Sequence, residues 1–470
     1  MIPVTESLAR FAATIRPRDI PAAVRERARL LILDTFGNMI RAAHDSESTP
    51  AVLAAAERLG YEGGPHAVAG LGAGYTAPGA ALINGTLAHS LDFDDTHAAG
   101  SLHPSAPILP AALAAAAMTG ASGSDLLAAV IVGYEVQIRA SLGLGPTAQY
   151  RRGFHPTATC GAFGAAAAAG RLLGLDAGGL QSAFGIALSQ TAGSLQFLAD
   201  GAWTKRFQVG WAAQAGLVAA TLAAEGFRGP AQAFEGKAGF FAAYAPNPDP
   251  AKGAAGLGTT WETLNIAIKP YPSCRYSHAP LDALLALRAA NDIAAADVTS
   301  IEVGVSRTAM ILIGEPEATK QNPKTVVDGQ FSMPFLAAVA LRTGGMGWDD
   351  YGRHLNDPAT LELCQRIHTR PDPQPEAEFP RNMSGIVRLH TRRGSFEKFV
   401  VSPKGEPENF VTPAELRAKF DGLTAPYLSA ARRDRLAATL LALEDVADIH
   451  ALMALTRSDL ETGMRLAAGA

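Results

Sequence analysis

The sequence predicts a mainly α-helical protein, with a large all-helical domain and a smaller α+β domain. Hydrophobic residues make up 48% of the 470 residues and charged residues 18%, which indicates a folded chain with a large interior. Up to about residue 260 the apolar residues follow helical spacing, and beyond it strands and helices alternate. Glycine and alanine are abundant in the helical part, which favours helices packed at close range.

The helical domain is predicted from segments that are apolar on one face or nearly all round. Its predicted helices are 25–41, 124–144, 157–175, 179–195 and 205–225. The segment from 124 opens with Ser124 and Asp125, which are typical of a helix start. The domain is assigned to residues 1–260.

The composition changes at 246–250, where three prolines in five residues exclude a helix, and 251–258 reads as a linker. The following elements define an α+β domain over 261–403. They are strands at 264–268 and 298–306, a strand pair at 386–402 around Gly394, helices at 281–292 and 332–343, and a surface loop at 371–380. The helical pattern after Pro413 predicts that 404–470 returns to the helical domain.

Charge and cysteine usage exclude several classes of protein. The net charge is −4 without a basic run, so no nucleic-acid partner is expected. The three cysteines lie far apart, which favours a reduced protein without a disulfide framework or a cysteine metal motif. The N-terminus lacks a signal-peptide pattern, and the longest apolar stretch, 209–224, is short and contains Gln214. A cytoplasmic protein that does not bind membranes is expected.

The first candidate site is the acidic run of Asp92, Asp94 and Asp95 within LDFDDTH. Three carboxylates in four residues repel one another, so they need a cation, a proton or hydrogen bonds. A solvated acidic helix cap and a divalent-metal site are the open alternatives to a catalytic cluster. His103 follows, just before Pro104 and a predicted helix, and is a candidate base.

Two further candidates stand at helix starts. His155 precedes Pro156 in GFHPT, beside the free amides of a helix start that suit a carboxylate ligand. Lys205 follows Thr204, a predicted N-cap, and lies on the first helical turn, where the helix dipole disfavours a cation. A bound anion explains that placement, and a substrate carboxylate is the natural candidate. The alternatives are a plain cap at Thr157 and a surface lysine.

The fourth candidate is the loop KPYPSCRYSH, with Lys269, Cys274, Arg275 and His278. Two cations, a thiol and an imidazole within ten residues suit an anion-binding loop that handles protons. A Cys–His nucleophilic pair and a solvated connector are the alternatives.

Five motifs, by their order and spacing, resemble those of the MmgE/PrpD family. They are LDFDDTH with HPS, GFHPT, DGAWTKRFQVGWAAQAG, FEGKAGFF and KPYPSCRYSH. The resemblance implies an all-helical domain, an α+β lid domain, a homodimer and cofactor-free, metal-free chemistry on di- or tricarboxylates in a cleft between the domains. The site residues that it implies are Asp92, Thr96, His103, His155, Lys205, Lys269 and the position of Cys274.

The resemblance covers 2-methylcitrate dehydratase, iminodisuccinate epimerase and cis-aconitate decarboxylase. In the decarboxylases it implies a histidine at Cys274 and a tyrosine near Phe335, so decarboxylation is ranked last. A lyase of the 2-methylcitrate dehydratase type, abstracting a proton next to a carboxylate, is ranked first and a dicarboxylate epimerase second. A metal-dependent hydrolase and a helical scaffold without chemistry are the other hypotheses.

Overall fold

The computed structural model describes residues 3–199 and 201–460. Asp200, the first residue of DGAWTKR, and the last part of the predicted C-terminal segment, 461–470, lie outside the described residues. The chain forms two compact units, one of Met1–Ala267 with Pro413–Ala470 and one of Ile268–Thr412. The protein is mainly α, with a large helical unit and a smaller α+β unit, as the sequence predicts.

The helical unit is built from long helices joined by short turns. These helices are Val4–Thr14, Ala22–Asp45, Thr49–Arg58, Ala77–Ala88, Ser105–Thr119, Gly123–Leu144, Pro156–Leu172, Ala177–Leu188, Thr204–Ala224, Pro413–Thr424, Ala430–Leu441 and Ile449–Ala454. Two antiparallel strand pairs join Glu62–Ala67 to Gly74–Tyr75 and Thr96–His97 to Ile266–Ala267. Of these four strands, the sequence analysis predicted only the one at Ile266–Ala267. The helix predicted to open at Ser124 is instead capped by Ser122, whose hydroxyl accepts from the Asp125 amide in a capping box.

Helix Pro156–Leu172 is central in this unit and packs against helices Ser105–Thr119, Gly123–Leu144 and Thr204–Ala224. Glycines make these contacts possible. A Cβ on Gly210 would lie 2.2 Å from the carbonyl oxygen of Leu82, so only glycine allows the two helices to approach this closely. The predicted close packing of helices is confirmed.

Two helices are long and apolar enough to span a membrane, Gly123–Leu144 and Thr204–Ala224. The most apolar window of the first is 94% buried within the protein, and that of the second is 61% buried. Such burial is typical of core helices in a soluble protein.

The α+β unit contains one four-stranded sheet. Its strands lie in the order Ile367–Pro371, Val298–Val305, Gly385–Thr391 and Gly394–Val400. The first two strands are parallel and the other pairs are antiparallel, with Ile301 opposite both Ile367 and Leu389. Helix His278–Ala290 packs on this sheet. The unit also contains three further helices, Met333–Thr343, Asp349–His354 and Pro358–Cys364.

Two sequence-based expectations for residues 261–403 differ from the structure. The loop expected at 371–380 contains the helix Pro373–Glu378, because Asp372 accepts a hydrogen bond from the Gln374 amide and Pro373 stands at the first helical position. The strand expected at 264–268 is reduced to Ile266–Ala267, since the residues before it form a short 3₁₀ turn.

The segment before residue 267 belongs to the helical unit because helix Gly123–Leu144 holds it. The buried carboxylate of Glu135 accepts from the Thr263 amide at 2.9 Å and from its hydroxyl at 2.8 Å. Arg139, one helical turn further along, donates to the Thr260 carbonyl at 2.7 Å. The predicted linker is therefore followed by a segment that is packed onto the helical core.

Candidate active site

The acidic loop, residues 92–97, lies between helices Ala77–Ala88 and Ser105–Thr119, and each of its three carboxylates has a different partner. Asp92 Oδ1 lies 2.7 Å from Lys205 Nζ. Burial alone would lower the pKa of Lys205, but Asp92 raises it above its usual value, so the lysine is charged. The structure thus places the protein's own Asp92 beside Lys205, and binding of a substrate carboxylate at this lysine stays a prediction. The helix begins at Thr204, which does not cap it with its side chain.

Asp94 is fully buried between two imidazoles. Its Oδ2 lies 2.7 Å from His89 Nδ1 and 3.2 Å from His103 Nδ1. Burial alone would raise the pKa of Asp94, but His103 and His89 lower it well below its usual value, so this carboxylate is ionised. Burial lowers the pKa of His89 to about 4, so His89 is neutral near pH 7. His103 is more accessible, with 16% of its side chain exposed.

Among residues 3–199 and 201–460, Asp95 has no ion-pair partner and is held by Ser105. Its Oδ2 lies 2.5 Å from Ser105 Oγ, its Oδ1 accepts from the Ser105 amide at 3.1 Å, and Tyr134 continues the chain of hydroxyls. Burial raises the pKa of Asp95 to about 8, so the group carries a proton near pH 7. A cation, two imidazoles and a proton thus resolve the repulsion within the run.

The His155 ring also packs near the His89 ring. The His89 ring is 4.6 Å from the His103 ring and 5.7 Å from the His155 ring, centre to centre. His155 Nδ1 lies 3.2 Å from Gln208 Oε1, and Gln208 is oriented by its bond to the Ser194 carbonyl. Because that oxygen only accepts, Nδ1 carries the hydrogen and Nε2 is the basic nitrogen. Burial lowers the pKa of His155 well below its usual value, which keeps it neutral.

Two threonines complete the cluster. Thr157 does not cap its helix; its hydroxyl accepts from the His103 amide at 3.2 Å and so ties the two histidine segments together. Thr96 is buried, and its Oγ1 has no hydrogen-bond partner among the described residues. His89 Nε2 and Asp94 Oδ1 share that condition. Buried polar atoms without a partner are uncommon, and a polar ligand would satisfy them.

The hydrolase hypothesis required Asp92, Asp94, Asp95 and His97 to act as one set of metal ligands. These four side chains instead have separate partners, and His97 Nε2 lies 3.2 Å from Glu262 Oε2. A different group, His89, Asp94 and His103, has ligand atoms that all lie within 4.8 Å of one another and could hold a metal ion. In this structure Asp94 Oδ2 is hydrogen-bonded to His89 Nδ1 at 2.7 Å and lies at ion-pair distance, 3.2 Å, from His103 Nδ1.

The cation loop, residues 269–278, belongs to the α+β unit. Lys269 and Cys274 are buried, and the Cys274 amide donates to the Gln330 carbonyl at 2.9 Å. Arg275 Nε donates to Glu406 Oε1 at 2.6 Å. His278 Nε2 lies 3.3 Å from the Ser273 carbonyl oxygen. Arg275 and His278 thus contact groups of their own unit, and substrate binding by these four residues stays a prediction.

The structure brings Asp92, His103, His155 and Lys205 into one part of the helical unit, where burial and then the charge of Lys205, among others, lower the pKa values of His89 and His155. Thr96 belongs to the same acidic loop as Asp92. Sequence analysis did not include His89 among the site residues and treated Asp94 only as one of three acidic residues. The available signal was the imidazole before the acidic run, in HSLDFDD. Its role could not be predicted from the sequence, because only the folded chain places His89, His103 and His155 close together.

Buried neutral imidazoles, an ionised carboxylate and a charged lysine in one cluster are typical of enzymes that transfer protons. The chain belongs to the MmgE/PrpD family. The model of the MmgE/PrpD N-terminal domain matches residues 6–252, and that of the MmgE/PrpD C-terminal domain matches residues 271–445. The resemblance seen in the motifs is therefore confirmed.

Known proteins resemble the chain along nearly its whole length. It is 30% identical to a cis-aconitate decarboxylase-like protein of Aspergillus oryzae, over 97% of this chain and 98% of that protein. It is 27% identical to a cis-aconitate decarboxylase of Aspergillus terreus, over 96% and 95% of the two chains. The human cis-aconitate decarboxylase is 30% identical over 61% of this chain and 60% of its own length.

Proposed function

We propose that this protein is a lyase that acts on a small polycarboxylic acid and transfers a proton at a carbon next to a carboxylate. The observation that carries the proposal is the packing of the His103 and His155 rings next to His89, with the Lys205–Asp92 pair near enough for the Lys205 charge to act on His89 and His155. Family membership and the relatives support the lyase class and the small acidic substrate.

The chemistry follows from the weak acidity of a C–H bond next to a carboxylate. Removing that proton, or breaking a bond to carbon there, leaves negative charge that must be stabilised. Lys205 supplies a fixed positive charge for it, and such stabilisation is commonly the largest contribution to catalysis. The proton itself needs a neutral base, and His155 meets this condition because burial suppresses its charged form.

His103 is the second candidate base, and Asp94 prepares it. A carboxylate 3.2 Å from Nδ1 favours the tautomer with hydrogen on that nitrogen, which leaves Nε2 as the basic atom. The same carboxylate stabilises the imidazolium that forms when His103 takes a proton. Asp94 is therefore proposed as a positioning residue for His103, with His89 holding its other side.

Within the lyases we propose dehydration of the 2-methylcitrate type. Cys274 and Phe335 stand where the resemblance implies histidine and tyrosine in the decarboxylases, and this difference argues against decarboxylation without separating dehydration from epimerisation. Decarboxylation of cis-aconitate is the second candidate, because the relatives of known activity named above are cis-aconitate decarboxylases. Their similarity raises this reaction from last to second place, ahead of epimerisation of a dicarboxylate such as iminodisuccinate.

The test is to incubate the protein with citrate-, aconitate- and succinate-type acids in D₂O and to follow the reaction by proton NMR. Dehydration produces an alkene with loss of the C–H signal. Decarboxylation releases CO₂ and places deuterium on the product carbon, and epimerisation exchanges one proton without loss of carbon or water. No turnover of any acid by the wild-type protein would refute the proposal.

Chelator treatment separates this proposal from metal chemistry. We propose a cofactor-free reaction, so activity should persist after dialysis against EDTA, with metal analysis on the same sample. Activity lost on chelation and restored by one divalent ion would instead assign His89, Asp94 and His103 as metal ligands.

A homodimer in the cytoplasm is also proposed. Trp203, Phe207 and Trp211 are exposed at the start of helix Thr204–Ala224, and Phe207 and Trp211 share one helical face. A second copy of this chain would cover that apolar face. Sedimentation velocity should show a dimer that Trp211→Glu weakens and Leu59→Glu, at an exposed leucine elsewhere, leaves intact. A wild-type monomer would contradict the proposal.

A further inference from the structure

The backbone of the acidic loop adopts an unfavourable conformation at Asp92. Its φ is 52°, in the left-handed region that residues other than glycine seldom occupy. Such a conformation persists only where the surroundings impose it. The Asp92 carboxylate is the partner of Lys205, so whatever holds this turn also determines whether the pair forms.

The next residue, Phe93, is held by a lysine from a distant part of the chain. Lys419 Nζ donates to the Phe93 carbonyl oxygen at 2.7 Å and lies 3.8 Å from the centre of the Phe93 ring. Asn38 Nδ2 donates to the same carbonyl at 3.3 Å. Lys419 therefore contacts both the backbone and the side chain of Phe93, directly after the left-handed residue.

Lys419 is itself fixed in place. Only 7% of its side chain is exposed, and Nζ lies 2.6 Å from Oδ1 of the fully buried Asp34. Burying such a pair contributes little net stability, because desolvation offsets the attraction between the charges. A buried pair does, however, define one conformation, since its donors must point at particular acceptors. Here the acceptors are Asp34 and the Phe93 carbonyl oxygen.

We propose that Lys419 is a positioning residue for the acidic loop: it holds the turn at Asp92 and Phe93 so that Asp92 faces Lys205. It does not contact the reacting atoms and acts through Phe93. The part of this inference that concerns turnover rests on the proposed function. The part that concerns the loop conformation does not.

The experiment compares Lys419→Met with Phe420→Leu. Both residues lie on helix Pro413–Thr424, but Phe420 is an apolar core residue that faces helix Ala22–Asp45 at Gly37. Lys419→Met removes the donor to Phe93, whereas Phe420→Leu only weakens packing. Hydrogen–deuterium exchange of the peptide spanning 89–97 is measured for each variant, together with thermal melting, kcat and KM.

Lys419→Met should speed exchange in the 89–97 peptide and lower kcat by roughly 10- to 100-fold, the usual cost of a small displacement of catalytic groups, with a smaller change in KM. Phe420→Leu should lower the melting temperature with exchange at 89–97 and kcat close to wild type. Lys419→Arg keeps a cation beside Asp34, so its exchange and kcat should lie between those of wild type and Lys419→Met.

Unchanged loop exchange and kcat in Lys419→Met would overturn the proposal, as would equal effects of Phe420→Leu. If Lys419→Met does not fold, Lys419→Arg decides by the same two measurements. If the wild type turns over none of the acids, the proposed function fails, and the exchange data alone still confirm or refute the role of Lys419 in the loop.

Discussion

The acidic loop and the cation loop both concentrate charge in a short segment, but they satisfy it differently. In the acidic loop each carboxylate meets a group from a separate helix or helix start, such as Lys205 or Ser105. In the cation loop Arg275 forms an ion pair with Glu406, and His278 lies beside the Ser273 carbonyl oxygen, so both contact groups of the α+β unit. The acidic loop also holds buried polar atoms, such as Thr96 Oγ1, that have no partner among the described residues.

This difference distinguishes a group that is prepared for a ligand from one that is already satisfied. An ion pair such as Arg275–Glu406 orients a loop and partly neutralises its charge, as the Lys205–Asp92 pair does in the acidic loop, so the ion pairs alone do not separate the two loops. A buried hydroxyl or carboxylate oxygen without a partner gains a hydrogen bond when a ligand arrives. From these unpartnered polar atoms we expect the proton transfer at the acidic loop, whereas substrate binding by Arg275 stays a prediction.

The largest effect is expected from the two candidate bases. His103→Gln or His155→Gln should lower turnover at least ~100-fold, since general base catalysis contributes about that much, while the fold is retained. Steady-state kinetics and circular dichroism on both variants are the measurements. Arg275→Gln is the matched control in the cation loop and should affect turnover much less. Nearly full activity in both histidine variants would show that neither His103 nor His155 is the general base.

Lys205→Met should reduce both substrate affinity and turnover, by roughly 10-fold or more in kcat/KM, because it removes the positive charge of the cluster. It should also destabilise the fold by roughly 1–3 kcal/mol, since the mostly buried Asp92 loses its partner. Adding Asp92→Asn should restore stability without restoring activity. Urea unfolding and kinetics on the single and double variants test this, and normal kinetics with lowered stability would make Lys205 structural.

Asp95 predicts how stability depends on pH. Its pKa is raised to about 8 in the folded protein, against ~3.9 in an unfolded chain, so folding binds a proton between these values. Its contribution is complete below pH ~4 and is lost as pH rises through 8, by roughly a few kcal/mol. Asp95→Asn keeps a hydrogen-bonding side chain beside Ser105 but does not titrate. The free energy of unfolding, measured in urea, should therefore fall less between pH 5 and pH 9 in this variant than in wild type. An equal fall in the free energy of unfolding in wild type and variant would show that Asp95 is already ionised in the folded protein.

The smallest effect is expected at Cys274, in the cation loop. The reaction proposed needs no covalent intermediate, so Cys274→Ser should retain measurable, near-normal turnover, and intact-mass analysis during turnover should show no adduct on the wild-type protein. A trapped intermediate on this thiol would reverse the comparison and place a nucleophile in the α+β unit.

The main features of the fold were predictable because long helices carry a strong periodic signal. The segment around Ile32 and the nearly uniform apolar run around Val130 both form helices with small shifts of their ends. Strand Ile367–Pro371 was not predicted, since IHTRP is short, partly polar and ends in proline. An edge strand of this kind forms because a neighbouring strand offers hydrogen bonds, and that neighbour is not visible in the local sequence.

The candidate site was predictable as chemistry but not as geometry. The repulsion among Asp92, Asp94 and Asp95 required a cation, a proton or hydrogen bonds, and the structure uses all three. The identity of each partner was hidden by distance along the chain. Lys205 lies 113 residues from Asp92 along the chain. His89 is identified as a site residue only by the packing of its ring against His103.

The contact between Lys419 and Phe93 also concerns the time at which the site can form in a growing chain. The two residues are 326 positions apart, so at ordinary rates of translation the acidic loop is synthesised roughly 20–60 s before the lysine that holds it. During that interval the helical unit lacks helix Pro413–Thr424, and the α+β unit is synthesised in full. A nascent chain therefore carries the candidate catalytic residues long before it can hold them in place, and folding of the helical unit ends only after its inserted neighbour has been made.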